Sequence, residues 1–153
     1  MTTEKTLVLI KPDAMLKGLA GTIISEIHKI KLKLIGLKLV NVQKELAEQH
    51  YYDVEKRHGK DVLTKLIQHI TGELHGNENV IALVYQGEDA IKKIRKLAGA
   101  THPEEAGPDT LRGKYGRVHS KTDCFENLLH ASSDSKEAKR EIKLWFNEDE
   151  LIE

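Results

Sequence analysis

Short apolar runs along the chain have the pattern of buried β-strands. Residues 6–10 are leucine or β-branched with one polar threonine, and the run stops before Pro12, which has no amide hydrogen for a sheet. Residues 34–42 are mostly apolar, and residues 80–85 read VIALVY. Apolar runs of this length are typical of strands that are buried in a sheet. A short fourth strand is predicted over residues 127–131.

Helical periodicity fills most of the chain between these runs. Isoleucines at positions 23, 24, 27 and 30 recur along one helix face, which predicts an amphipathic helix over residues 20–30. The last helix is predicted to begin at Asp134, because Glu137 three residues later completes a capping-box pattern. The remaining predicted helices cover residues 46–57, 61–70 and 89–99.

The order of these elements is β-α-β-α-α-β-α-loop-β-α, which predicts an α+β fold. A four-stranded antiparallel sheet with helices, in a ferredoxin-like split βαβ arrangement, fits this order. The length of 153 residues is that of one domain, so we expect a single domain over residues 1–153.

A long segment before the last strand breaks the periodic pattern. Residues 99–129 hold four of the 11 glycines and two of the three prolines, and they show no sustained periodicity. Loops of this length within a compact domain are usually functional or disordered. From Arg112 to Lys121 there are four basic residues and no acidic residue, which favours a functional loop that meets an anion.

Composition narrows the class of protein further. Hydrophobic residues make up 39% of the chain, a globular composition once the 11 glycines are added. The 24 basic and 24 acidic residues cancel, so nucleic acid is an improbable partner. The single cysteine, Cys124, excludes an internal disulfide and a cysteine-rich zinc site. No apolar run approaches the ~18 residues of a membrane span, so we expect a soluble, cytoplasmic protein without a membrane partner.

One histidine–carboxylate pair carries a chemical signal. The sequence has no GxxxxGK[ST], GxGxxG or HExxH motif, so side chains would have to hold any phosphate. His130 ends the predicted fourth strand, and Glu141 lies eleven residues later in the last helix. A carboxylate bound to one imidazole nitrogen fixes the tautomer and leaves the other nitrogen nucleophilic. From this spacing alone, a hydrogen-bonded core histidine is the commoner interpretation of His130.

Five separated motifs decide between these interpretations. They read EKTLVLIKPDA at 4–14, HYYDVEKR at 50–57, IRKLAGATHP at 94–103, TLRGKYG at 110–116, and NLLHAS at 127–132 continuing to EIKLWF at 141–146. In this order, and over essentially the whole chain, they resemble the motifs of the nucleoside diphosphate kinase family.

The resemblance implies both a reaction and a set of residue roles. A nucleoside triphosphate would give its γ-phosphoryl group to His130, and the phosphohistidine would pass it to a different nucleoside diphosphate. His130, Lys11 and Glu141 would be catalytic, and magnesium would be held mainly by the nucleotide phosphates. The resemblance further implies that Tyr51 supports Lys11, that Arg95, Thr101 and Arg112 bind phosphates, that Asn127 contacts the sugar, and that Ser132 hydrogen-bonds near the histidine. Members of the family are commonly hexamers or tetramers, and we expect a homo-oligomer.

Three departures from the family pattern concern the rim of this site. Val62 and Leu63 stand where the family usually has an aromatic pair, one member of which stacks on the nucleobase. Ser133 stands where the family usually has aspartate. Segments 73–79 and 114–124 are several residues longer than usual. The second of these segments lies in the phosphate-site loop, which in the family also contributes to subunit contacts.

Two other functions compete with nucleotide phosphorylation. A phosphohistidine protein that phosphorylates protein side chains would also use His130 and Glu141, but it would not need four residues that bind a triphosphate. A ferredoxin-like nucleic-acid-binding domain would need surface aromatics and a basic face, and this chain has few aromatics and no net charge. The sequence leaves the preferred base and sugar open.

Overall fold

A four-stranded antiparallel sheet forms the centre of the protein. The computed structural model describes residues 2–153. The strands are β1 (Thr3–Ile10), β2 (Lys33–Val40), β3 (Val80–Glu88), β4 (Arg117–Val118), β5 (Phe125–Glu126) and β6 (Leu129–Ala131). The sheet has the order β2–β3–β1–β6 with antiparallel neighbours, and β4 and β5 form a separate hairpin.

Within the described residues, eight α-helices connect and cover these strands. They are α1 (Pro12–Leu16), α2 (Ala20–Lys29), α3 (Lys44–His50), α4 (Val54–His58), α5 (Lys60–Ile70), α6 (Ala90–Ala98), α7 (Leu111–Tyr115) and α8 (Ser135–Trp145). Short 3₁₀ helices cover Pro103–Glu105 and Glu148–Glu150. Within residues 2–153, no helix combines the length and apolar character that crossing a bilayer would require.

The strand order confirms the predicted ferredoxin-like fold. The connection from β1 to β2 runs through α1 and α2 and leaves room for β3 between the two strands. The connection from β3 to β6 runs through α6 and leaves room for β1 in the same way. Two split βαβ units therefore interleave in one sheet.

Strand β1 is buried on both faces of the sheet, which explains its continuous apolar run. Val8 and Ile10 face a core formed with α2 and α6, whereas Leu7 and Leu9 face a second core formed with α3, α5 and α8. All four side chains have no solvent exposure. A strand that is covered on both sides needs apolar residues at every position.

Two segments differ from their sequence-based description. The helix predicted over residues 46–57 is two helices, α3 and α4, separated by a turn over residues 51–53. Residues 99–129 are not a featureless loop but contain α7 and the β4–β5 hairpin. Gly113 lets the start of α7 pack on the backbone carbonyl of Gly107, where a Cβ atom would collide with the carbonyl oxygen. Such packing leaves no hydrophobic period for sequence analysis to detect.

Candidate active site

A cleft of about 910 Å³ opens beside the end of β1 and the short strand β6. Nine of the ten predicted site residues line it, and the tenth, Ser132, lies behind its wall. The nine are Lys11, Tyr51, Val62, Arg95, Thr101, Arg112, Asn127, His130 and Glu141. The structure thus brings together residues from α5, α6, α7, β6, α8 and the segments between the elements.

The imidazole of His130 is backed by a buried carboxylate. Its Nε2 lies 2.9 Å from Oε2 of Glu141, at hydrogen-bond distance but away from the N–H axis. The Ser132 hydroxyl donates to the other oxygen, Oε1, at 2.7 Å, and it accepts the backbone N–H of Leu7 at 3.1 Å. Strand β1 therefore positions Ser132, Ser132 positions Glu141, and Glu141 positions His130.

The charge on Glu141 determines what His130 can do. Burial opposes ionisation of this carboxyl, but its contacts with His130 and Ser132 outweigh burial and hold its pKa below the ordinary value. A carboxylate next to Nε2 favours the tautomer that carries its proton on that nitrogen. Nδ1, which has no hydrogen bond to the described residues, then keeps its lone pair and can act as the nucleophile.

Lys11 lies buried at the end of β1, next to the same cleft. Its Nζ donates to Oδ1 of Asn127 at 3.0 Å, and Nδ2 of Asn127 donates to the backbone carbonyl of Thr101 at 2.9 Å. Burial lowers the pKa of Lys11 to about 8, although the nearby Asp13 carboxylate opposes the shift. The amine is thus a cation at neutral pH whose charge is only weakly compensated by its surroundings.

Arg112 holds backbone segments together and also places a positive charge at the cleft. Its guanidinium donates to three backbone carbonyls, those of Asn127 (3.1 Å), Gly99 (2.8 Å) and Leu129 (2.7 Å). No sequence motif predicts these three bonds. Arg95 on α6 differs because its side chain is exposed and makes no hydrogen bond within residues 2–153. Both arginines line the same cleft, but Arg112 is held in place by its three hydrogen bonds, whereas the side chain of Arg95 is free to move.

Tyr51 and Val62 lie on the part of the cleft formed by α3, α4 and α5. Tyr51 occupies the break between α3 and α4, and burial raises its pKa well above the ordinary value, so the phenol keeps its proton. It makes no hydrogen bond to Lys11, and its predicted support of that residue is not a direct contact. Val62 on α5 is 41% exposed at the cleft rim.

His50 was missed by sequence reasoning, although it directly precedes Tyr51 in its motif. Its ring packs edge-on against His130 with centroids 4.5 Å apart, and its Nδ1 accepts the indole N–H of Trp145 at 3.1 Å. Burial, then the neighbouring His130 and the cations, hold its pKa well below the ordinary value. His50 is therefore a neutral ring that restrains His130.

A second buried network fixes the turn before β6. The Asp13 carboxylate accepts Nε2–H of His69 at 2.7 Å and the backbone N–H of Leu128 at 3.0 Å. Nδ1 of His69 lies 3.2 Å from Sγ of Cys124. Leu128 has φ +72°, a left-handed conformation that costs energy for leucine. The bond to Asp13 stabilises this conformation between Asn127 and β6. His69 and Cys124 gave no sequence signal, because they are far apart along the chain.

The fold and the site together define a class of enzyme. A histidine with one free nitrogen, backed by a carboxylate and facing three cations, is equipped for phosphoryl transfer through a phosphohistidine. The family model for nucleoside diphosphate kinase matches residues 4–151. The chain belongs to the nucleoside diphosphate kinase family.

Proteins of known family are similar in sequence to this chain over nearly its whole length. The nucleoside diphosphate kinase of Pyrococcus horikoshii is 43% identical over 151 residues, 99% of this chain and 90% of that protein. That of Staphylococcus epidermidis is 43% identical over 150 residues, 98% of this chain and 92% of that protein. These relatives confirm the predicted activity, a nucleoside diphosphate kinase, which is a phosphotransferase.

Solved structures give the same result. The nucleoside diphosphate kinase of Borrelia burgdorferi, a transition-state mimic with bound vanadate and ADP, has a TM-score of 0.89 at 35% identity and covers 99% of this chain and 91% of that chain. The Halobacterium salinarum enzyme in complex with CDP has a TM-score of 0.86 at 36% identity, with 99% and 93% covered. Phosphoryl transfer through a phosphohistidine is supported, and the alternative of a protein acceptor is not favoured.

Proposed function

We propose that His130 carries the phosphoryl group between the two nucleotides and that Glu141 and Lys11 complete its catalytic set. In the first half-reaction, the lone pair on Nδ1 attacks the γ-phosphorus of the triphosphate. The bond from that phosphorus to the β,γ-bridging oxygen breaks, and the diphosphate leaves with the electron pair. The second half-reaction runs the same steps in reverse with a different diphosphate. The contact between Glu141 and Nε2 carries this proposal, because it stabilises the positive charge that develops on the ring.

The phosphates would be bound by side chains rather than by a glycine-rich loop. Lys11, Arg95 and Arg112 supply three positive charges around one end of the cleft, where charge develops during transfer. Thr101 lies next to them, and Asn127 and Tyr51 would complete the phosphate and sugar contacts. Val62 would contact the base. None of these contacts reads the edge of a base, which supports broad acceptor use.

We further propose that the substrate is the magnesium complex of the nucleotide. His50, His130 and Glu141 each place a possible ligand atom within 4.8 Å of the others. However, Mg²⁺ prefers oxygen ligands, and the Trp145 N–H occupies the Nδ1 lone pair of His50. These three residues do not fit a magnesium site, so the phosphates would hold the ion.

The working form of the protein is proposed to be a cytoplasmic homo-oligomer, a hexamer or tetramer, of one domain covering residues 1–153. Strand β2 lies at the edge of the sheet and exposes three leucines, Leu34 (41%), Leu37 (56%) and Leu39 (63%). An exposed apolar edge strand is a template for pairing with another chain. Light scattering of wild-type protein and of Leu37→Glu tests the assembly. A wild-type monomer would contradict it.

The proposed function is tested by steady-state kinetics with ATP and dTDP. We expect parallel double-reciprocal lines, because the first product leaves before the second substrate binds. His130→Gln should lose the activity, whereas the matched control His28→Gln, at an exposed histidine on α2, should keep it. Intersecting lines, or an active His130→Gln protein, would contradict the proposal.

A further inference from the structure

The two segments that are longer than usual meet at one buried carboxylate. Glu126 on β5 has no solvent exposure. It accepts hydrogen bonds from Arg117 at 2.9 Å and His75 at 3.2 Å, and Nζ of Lys17 lies 3.1 Å away. Although burial opposes ionisation, these partners lower its pKa to about 2. His75 comes from segment 73–79 and Arg117 from segment 114–124, so Glu126 ties both segments to the body of the protein.

This anchor fixes the direction of the neighbouring side chain. Successive residues of a strand point to opposite faces, so the burial of Glu126 turns Phe125 outward. Phe125 is 40% exposed and lines the cleft. The ring of His102 packs against it, with centroids 4.5 Å apart and planes inclined by 52°. The contact with His102 and the buried Glu126 next to it on β5 therefore hold the exposed ring of Phe125 in place.

Helix α5 lines the same cleft as Phe125. Val62, Leu66 and His69 are spaced by four and three residues, so they lie along one face of α5, and all three line the cleft. Nδ1 of His69 lies 3.2 Å from Sγ of Cys124, the residue next to Phe125, so this end of α5 lies close to the start of β5. Val62 is 41% exposed and Phe125 is 40% exposed, so both side chains are accessible from the cleft.

The cleft therefore has two chemically distinct regions. Lys11, Arg95, Arg112 and His130 form a polar region that suits phosphates, whereas Val62, Leu66 and Phe125 offer apolar surface. A nucleotide has the same division, with charged phosphates on one side of the sugar and a flat, weakly polar base on the other. Aromatic side chains bind bases by stacking, which tolerates any base because each has a π-face.

We propose that the Phe125 ring stacks on the nucleobase that Val62 contacts, so that this chain supplies from β5 the aromatic surface that Val62 does not provide. This inference rests on the proposed function, which places the phosphates near His130 and the base at Val62. It makes Phe125 a residue that determines how strongly bases bind, with purines gaining more than pyrimidines because they stack over a larger area.

Calorimetric binding of GDP, CDP and the base-free analogue ribose 5-diphosphate tests this proposal without turnover. Phe125→Ala should weaken GDP binding about fivefold or more, CDP binding less, and ribose 5-diphosphate binding not at all. Phe125→Trp should retain wild-type affinity for GDP. Tyr115→Ala is the matched control, because Tyr115 is a 38% exposed aromatic in the same segment that does not line the cleft.

Three outcomes would overturn the proposal. Unchanged GDP binding by Phe125→Ala would show that the ring does not stack. An equal loss for GDP and ribose 5-diphosphate would show that the substitution disturbs the phosphate region instead. An equal effect of Tyr115→Ala would show a general effect of the segment. Failure of the proposed function would give a different result. The protein would then show no phosphoryl transfer, while Phe125→Ala would still weaken nucleotide binding as expected.

Discussion

Replacing Arg112 by alanine should cost both stability and activity, because the same guanidinium has two roles. Its three bonds to the carbonyls of Asn127, Gly99 and Leu129 are made by a side chain that is only 7% exposed. A net contribution of ~1 kcal/mol for each bond gives about 3 kcal/mol of unfolding free energy. The substitution should also raise KM and lower kcat together, because a cation next to the transferring group is lost.

Urea unfolding of Arg112→Ala and Arg95→Ala separates the two roles. Arg95 lines the same cleft but is exposed, so its removal should impair catalysis without a measurable loss of stability. Arg112→Ala should be destabilised by about 3 kcal/mol and still fold, since domains of this size have roughly 5–15 kcal/mol of stability. If Arg112→Ala were as stable as Arg95→Ala, the three carbonyl bonds would not contribute to the unfolding free energy as expected.

The other predictions concern pH, the carboxylate contacts and acceptor range. Because burial lowers the pKa of Lys11 to about 8, kcat/KM should fall above that pH, and a profile that is flat to pH 10 would contradict this. Glu126, with its pKa lowered from 4.5 to about 2, stabilises the fold above pH 4.5 and loses this contribution as the pH falls towards 2. After discounting for its solvent-exposed partner Arg117, we expect about 1–2 kcal/mol, so unfolding of Glu126→Gln should depend less steeply on pH between 5 and 3 than unfolding of wild type. Ser132→Ala should slow phosphorylation of His130 in rapid-quench experiments, because Glu141 loses its partner, and an unchanged rate would show that Ser132 does not orient it. Steady-state rates with ADP, GDP, CDP, UDP and dTDP should differ by less than ~100-fold, and a larger preference would reveal a contact that reads the base.

The sequence predicted most of the fold because the main elements carry strong periodic patterns. The doubly buried strand β1 reads as an apolar run, and α2 and α8 have clear apolar faces. The β4–β5 hairpin escaped prediction because each strand has two residues and is held by the Glu126 contacts rather than by a periodic core. Ion pairs between distant segments leave no local pattern in a sequence.

The candidate site was predictable to the extent that its residues lie in motifs. Motifs placed His130, Lys11 and Asn127 in one cleft, and the structure brings them together. The triple carbonyl contact of Arg112 was not predictable, because it depends on where three backbone segments converge. The pair of His69 and Asp13 was missed for the same reason, since it joins residues 56 positions apart.

Phosphorylation of the protein by γ-labelled ATP with Mg²⁺ tests the central claim most directly. The label should reside on His130 alone, be lost in acid and persist in alkali as expected for a phosphoramidate, and leave as GTP when GDP is added. His130→Gln should remain unlabelled while unfolding at the same urea concentration as wild type. A label that persists in His130→Gln would contradict the assignment of the nucleophile. A labelled His130 that no nucleoside diphosphate discharges would contradict nucleotide-to-nucleotide transfer.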